Sequence, residues 1–345
     1  MIKESISATA PGKIILFGEH AVVYGQPAIA VPVHQVQATV TVTPAPAGSG
    51  LTVRAVDLSQ VISLAAAPED DPLARAVRLT LAHLGQPVPD VTLCVTSTIP
   101  IASGLGSGAA VSTALVRALA AYLGRPLTPA TVSQLVYEVE KLHHGTPSGI
   151  DNTVVAYGMP VYFVRGPAGD AQMQTFGVAT PHGTPDGSKG LRFLIGDTGV
   201  SSPTRVAVGD VRRGWERDPA RYEGLFAQVG ALVGQARALI QAGGDLVALG
   251  TLMDRNHTLL RQMGVSSPEL ERLVEAARAA GAVGAKLSGA GRGGNMIALL
   301  PALRQAPAVS LSNHQDVEGG GRVEAQVKDA LQKAGAMRVI GTTVV

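Results

Sequence analysis

The sequence predicts an α+β protein, or a mixed α/β one, arranged in two lobes. Three observations support this. The chain has 345 residues, more than one small core organises, so two domains are the natural expectation. Strand-like and helix-like segments alternate along the first half. A Gly/Pro-rich stretch, "RGPAGDAQMQTFGVATPHGTPDGSKG" at 165–190, then breaks the pattern and marks a candidate boundary. The two domains are accordingly placed at 1–187 and 188–345.

The elements follow in order. "ISATAPGKIILFGEH" begins as a strand and meets a Pro-Gly turn. "AIAVPVHQVQATVTVTP" (28–44) is β-branched and alternating, which predicts a strand pair. "LTVRAV" (51–56) is a short strand. "DPLARAVRLTLAHLG" (71–85) is a helix with an Asp-Pro start and a glycine stop. The strand "VTLCVT" (91–96) leads into the loop "PIASGLGSGAA" (100–110), and "VSTALVRALAAYL" (111–123) reads as a helix. "TPATVSQLVYEVEKLHHG" (128–145) is a helix capped by Thr128 with Pro129 at its first position. Its apolar stripe is Val132, Leu135, Val136 and Val139, with Glu140 at the edge. A turn "GTPSGIDN" and a strand "TVVAYGMPVYF" (153–163) follow.

In the second half, the strand "LRFLIGD" and the turn "TGVSSPT" precede helical segments around "GGDLVALGTLMDRNHTLLRQMG". "SPELERLVEAARAAG" (267–281) is a helix with Ser267 as N-cap and Gly281 as C-cap. A second glycine-rich loop, "GAKLSGAGRGGN" (284–295), comes before the strand "MIALL". The tract "SNHQDVEGGGR" (312–322) reads as a flexible surface loop, and there is no internal repeat.

Composition excludes several classes. The chain is 46% hydrophobic and 16% charged, so it folds. With aromatics at 3%, its core is expected to be aliphatic. A net charge of +2 and the lack of a basic run argue against nucleic acid as a partner. No apolar leader or membrane-spanning stretch is seen, so a cytoplasmic protein without a membrane partner is expected. The single cysteine, Cys94, sits in an apolar strand and is expected to pack in the core.

The loop at 100–110 lies ahead of a helix N-terminus, where backbone N–H groups and the helix dipole favour an anion. It is not a Walker A loop, which needs G-x-x-x-x-G-K-[ST]. Gly104, Gly106 and Ala109 match the dinucleotide pattern G-x-G-x-x-[GA], but the acidic residue required about 20 positions on is missing. That leaves a structural turn or a phosphate loop of another kind. Phosphoryl transfer needs a phosphate cradle, oxygen ligands for Mg²⁺, a cation and a group that orients the acceptor hydroxyl. Lys13, Glu19, His20, Glu140 and Asp151 form a compact set of candidates. Each also has an ordinary reading: a snorkelling lysine, a core histidine, a solvated helix charge or an Asx turn. His143 and His144 diverge by about 100° on a helix, which makes a zinc site with Asp151 poor. No G-x-S-x-G elbow points to a serine hydrolase.

"APGKIILFGEHAVVYG" (10–25), "PIASGLGSGAA" and "GAKLSGAGRGGN" resemble, in order, the three motifs of the GHMP kinases, named for galactokinase, homoserine kinase, mevalonate kinase and phosphomevalonate kinase. "GEHAVVYG", "EKLHHGTPSGIDNTV" (140–154) and "DRNHTLL" resemble the mevalonate kinase family within them. The resemblance runs from Ala10 to about Leu300.

This resemblance implies a domain like ribosomal protein S5 at the N-terminus and a ferredoxin-like domain at the C-terminus, with the active site in the cleft between them. It implies transfer of the γ-phosphoryl group of ATP to the 5-hydroxyl of mevalonate, with Mg²⁺ as cofactor, by a monomer or homodimer. A sibling kinase for phosphomevalonate or homoserine, a related decarboxylase and a silent binding paralogue are the alternatives. Asp151 matches the catalytic aspartate, and Lys13 the lysine beside it. Glu140 matches the Mg²⁺ ligand, with Ser107 able to add its hydroxyl. Pro100, Ala102, Ser103, Gly104, Leu105, Gly106, Ser107, Gly108 and Ala109 match the triphosphate loop. Glu19, His20, Thr198 and Thr204 match the substrate side. Two departures stand out. Gly108 occupies the place where relatives carry a second serine that helps hold Mg²⁺, and Arg292 replaces a glycine in the last motif, either as a cation for phosphate or facing solvent.

Overall fold

The computed structural model describes residues 4–100, 103–144, 147–166, 171–179, 190–201, 204–302 and 319–345. The first elements are strand β1 (Ile6–Phe17), a 3₁₀ turn (Ala21–Tyr24), β2 (Pro27–Pro44), β3 (Leu51–Ala55) and β4 (Gln60–Ser63). Helix α1 (Pro72–Leu84), β5 (Val91–Ser97), α2 (Ser107–Tyr122), α3 (Pro129–His144) and α4 (Ile150–Tyr157) come next. Then follow β6 (Val161–Arg165), β7 (Ala171–Thr175), β8 (Leu191–Asp197), α5 (Thr204–Arg217), α6 (Pro219–Ala242) and α7 (Leu246–Gln262). The chain ends with α8 (Pro268–Ala279), β9 (Gly284–Ser288), β10 (Asn295–Leu299), α9 (Gly319–Lys333) and β11 (Arg338–Val344). No helix among the described residues is long and apolar enough to cross a membrane.

The chain divides into two compact units that interleave in sequence. One comprises Met1–Lys13, Pro32–Ile101 and Leu105–Met159, and the other Ile14–Val31, Ala102–Gly104 and Pro160–Val345. The expected boundary at 187 and 188 lies outside the described residues.

In the first unit, strands run in the order β4-β3-β5-β2, with β3 parallel to β5 and the other pairs antiparallel. Alternate β2 residues Ala38, Val40 and Val42 are buried, so one sheet face supports the helices. Helix α2 touches α1, α3 and α4 and is buried nearly all round, as a helix rich in alanine and leucine with few polar residues must be. In the second unit, the start of β2 pairs with β6 and β6 with β7. A separate antiparallel sheet has the order β11-β8-β10-β9, against which α7, α8 and α9 rest. Tyr24, Trp215, Tyr222 and Phe226 cluster there, with Tyr24 stacked on Phe226 at 4.1 Å.

Local chemistry predicted several boundaries well. Asp71 caps α1 by accepting from Ala74 N–H at 2.8 Å, Thr128 accepts from Thr131 N–H, and Ser267 from Leu270 N–H. Other expectations need correction. β1 continues through Pro11-Gly12: among the described residues it pairs only with β2, and a proline is tolerated on such an edge. β2 is one strand of 18 residues that runs straight through Pro32. α2 begins at Ser107, four residues early, because Ser-Gly-Ala-Ala contains nothing that stops a helix.

Asp151 lies in helix α4, and the strand expected from Thr153 starts only at Val161. Gly149 and Gly158, both left-handed, frame that helix, and burial overrides its β-branched residues. Gly284–Ser288 is strand β9, so the second glycine loop shortens to 289–294. β7 interrupts the stretch expected to be pure connection. Of the expected surface loop, 319–322 belongs to α9, while 312–318 lies outside the described residues.

Candidate active site

The glycine loop turns on two left-handed residues, Gly104 at φ 81° and Gly106 at φ 74°. Gly106 is the N-cap of α2, and no side chain caps that end, so the first-turn N–H groups point outward. Such an end attracts phosphate oxygens. Leu105 and Ala109 are buried, Pro100, Gly106 and Ser107 half-buried, and Gly104 and Gly108 exposed. Ala102 lies outside the described residues, as do the side chains of His143 and His144.

Lys13, on β1, is buried, and its Nζ lies 3.1 Å from Asp151 Oδ2. Its backbone N–H donates to Leu105 O at 2.9 Å, which fastens the strand to the glycine loop. The lysine stem passes over Gly106, where a Cβ would stand only 2.8 Å from Lys13 Cγ. Asp151 occupies the first turn of α4 with its side chain 29% exposed, so a substrate hydroxyl can reach it.

The neighbours of Asp151 hold it in place. Asn152 Nδ2 donates to Ser133 O at 3.1 Å and to Ser133 Oγ at 2.9 Å, locking α4 to α3. Thr153 Oγ1 donates to Gly149 O at 2.6 Å. Glu140, on α3, is only 4% exposed, so it belongs to the buried face rather than to its edge.

Among the described residues, no three His, Cys, Asp or Glu side chains converge on a metal. Mg²⁺ in phosphoryl transfer commonly takes one or two carboxylates and shares the oxygens of the phosphates and water.

In the second unit, Glu19 and Lys286 form an ion pair in which both side chains are almost fully buried. Asn256 Nδ2 donates to the other Glu19 oxygen at 3.1 Å, and Lys286 Nζ also donates to Leu287 O at 2.6 Å. Burial pulls the Lys286 ammonium below its usual range, against the pull of Glu19.

His20 is a non-glycine residue at φ 60°, and its Nε2 donates to Ala290 O at 3.0 Å. Burial lowers its pKa to about 4, so the ring is neutral at pH 7. His257 accepts from Leu287 N–H through Nδ1 at 3.3 Å, so its Nε2 carries the proton and faces Glu271 at 3.2 Å. Its pKa is likewise lowered to about 4, chiefly by burial.

Thr198 donates to Gly294 O through both N–H (2.9 Å) and Oγ1 (3.0 Å), which ties its turn to the last glycine motif. Thr204 begins α5 and is exposed. Arg292 pairs with Asp210 on α5, so its charge is directed to a helix of its own unit.

Sequence reasoning passed over Lys286, Asn256, Asn152 and Ser133. Lys286 alone left a signal, a lysine within the short strand-like run "GAKLS", buried throughout.

Residues 72–159 match the family model described as the GHMP kinases N terminal domain, and 236–316 match the one for the GHMP kinases C terminal. The mevalonate kinase of Thermococcus sibiricus is 36% identical over 328 residues, covering 89% of this chain and 92% of that protein. The structure of L. major mevalonate kinase in complex with R-mevalonate matches at a TM-score of 0.76 and 30% identity, covering 98% of this chain and 96% of that one. Methanococcus jannaschii mevalonate kinase shares the fold, with a TM-score of 0.80 at 23% identity over 99% of both chains. With the ordered motifs, the two-unit α+β fold and relatives of this identity over most of its length, the chain belongs to the mevalonate kinase family of the GHMP kinases.

Proposed function

We propose that this chain transfers the γ-phosphoryl group of ATP to the 5-hydroxyl of mevalonate, giving 5-phosphomevalonate and ADP. The observation that carries the reading is the contact of Lys13 with Asp151, on a strand fastened to the glycine loop, in a member of this family. Asp151 accepts or orients the proton of the 5-hydroxyl. The hydroxyl oxygen forms its bond to the γ-phosphorus as the bond to the departing ADP oxygen breaks. Lys13 offsets charge on the attacking oxygen and the moving phosphoryl group.

Because the transition state is loose, positioning and charge compensation carry most of the acceleration. The amides of 104–109 cradle the phosphates. Mg²⁺, for which Glu140 and Ser107 are the ligands proposed, supplies positive charge to the phosphate oxygens. Glu19, His20, Thr198 and Thr204 are assigned to the acceptor side. Glu19, with both oxygens engaged, acts there by holding the first motif in shape. We place the enzyme in the cytoplasm, as a monomer or homodimer.

A phosphorylated acceptor would call for spare cations near the first and last motifs. Lys286 and Arg292 are each paired with a carboxylate, which favours mevalonate over phosphomevalonate. ADP release measured with Mg-ATP against mevalonate, phosphomevalonate and homoserine tests the assignment. Turnover is expected with mevalonate, and turnover confined to the other two acceptors would sink it.

A further inference from the structure

Arg117 lies ten residues into α2, about 15 Å along the axis from the helix start that forms the glycine loop. Its guanidinium is half-buried, and no acidic side chain pairs with it among the described residues. It grips two backbone carbonyls instead. Nη2 donates to Ala156 O at 2.6 Å, and Nη1 to Thr9 O at 3.2 Å.

Those acceptors sit on the two elements that hold the Lys13–Asp151 pair. Thr9 is on β1, four residues before Lys13. Ala156 is in the last turn of α4, whose first turn carries Asp151. Its carbonyl is one of those a helix leaves without an internal partner, and a cation is favoured at that end. Asn152 anchors one end of α4 to α3, and Arg117 anchors the other end to α2. A planar fork holds two separate acceptors at a spacing set by its rigid geometry, whereas the donors of an ammonium turn freely.

We propose that Arg117 is a positioning residue for phosphoryl transfer. It touches neither substrate, but it holds the strand of Lys13 and the helix of Asp151 in register with the glycine loop at the head of its own helix. The proposal rests on the reading of Lys13 and Asp151 as the reacting pair.

Arg117→Met keeps the apolar stem and removes both donors, while Arg117→Lys keeps the charge and one point of contact. Each variant is titrated with a nucleotide analogue to count binding sites. Its kcat per site and its KM for ATP and mevalonate are then measured beside a thermal melt. The expected result for Arg117→Met is a kcat per site about ten- to a hundredfold lower, the range for a displacement near 1 Å. Both KM values should stay within about threefold. Arg117→Lys is expected to recover part of the loss.

A kcat per site equal to that of the parent enzyme would overturn the proposal whatever the melting temperature does, and so would a loss carried wholly by KM. Should Arg117→Met fail to fold, Arg117→Lys decides alone: a kcat per site at the parent level overturns the proposal and a reduced one supports it. Asp151→Asn separates the two levels. Turnover that survives in Asp151→Asn sinks the reading of the pair. A dead Asp151→Asn beside a fully active Arg117→Met sinks the role of Arg117 alone.

Discussion

Replacing Gly106 with alanine places a methyl carbon 2.8 Å from Cγ and 3.1 Å from Cε of Lys13, on a residue at φ +74°. Carbon atoms rest at about 3.5–4.0 Å, so the lysine stem must retreat by roughly 0.7–1.2 Å. It has little freedom to do so, because its backbone N–H is held by Leu105 O and its Nζ by Asp151. A catalytic group displaced by about 1 Å loses on the order of a hundredfold in rate, or roughly 2.7 kcal/mol of barrier.

The left-handed backbone adds a separate cost of about 1–2 kcal/mol in stability, which lowers the melting temperature by roughly 2–8 °C. Gly104→Ala isolates the two effects. It has the same backbone penalty at φ +81°, but its methyl group meets nothing within 4 Å. Steady-state kcat and thermal melts of both variants form the assay. Both should melt lower by similar amounts, and only Gly106→Ala should lose about a hundredfold in kcat. Equal losses of kcat would refute the reasoning, since strain in the loop would then account for everything without Lys13.

Gly108→Ser restores a hydroxyl at the second position of α2, so the Mg²⁺ concentration giving half-maximal rate should fall or stay the same. A requirement for more Mg²⁺ would show that the added side chain obstructs the phosphates. His20 and His257 predict a pH dependence. Both are held neutral, with pKa values lowered to about 4, so between about pH 6.5 and pH 4 the unfolded chain binds more protons than the folded one. Stability is therefore complete above about pH 6.5 and is lost as the pH falls towards 4. Thermal melts between about pH 7.5 and pH 5 should show this decline, and His257→Gln should flatten it. Identical slopes in the two proteins would assign the decline to other groups.

What the sequence made legible depended on how local the cause was. Caps such as Asp71, Thr128 and Ser267 were readable because a side chain and the N–H group three residues on decide them. The glycine loop was readable because left-handed turns need glycine. Helix α4 was not. Thr153, Val154 and Val155 favour a strand locally, and only the burial of Ile150, Val154 and Val155 among α2 and α3 makes them helical. The association of Lys13 with Asp151 joins residues far apart in the chain, so spacing offered no route to it and the family resemblance did. The Glu19–Lys286 pair could not be read at all, because a charge inside a strand reveals its partner only after the sheet forms.

Helix α2 makes these separate observations one problem of register. Its N-terminus adjoins the glycine loop proposed to cradle the phosphates, and it touches both α3, which carries Glu140, and α4, which carries Asp151. Through Arg117 it also holds the strand of Lys13. Arg117 is half-buried, and an apolar side chain there would avoid the cost of partly desolvating a guanidinium. An arginine at position 117 is hard to account for by packing alone, because its donors meet backbone carbonyls rather than a carboxylate that would offset that cost. The two carbonyls it selects belong to the two elements whose relative placement sets the distance between Lys13 and Asp151. Beyond any stability they add, these two contacts would fix the separation of the two groups proposed to react.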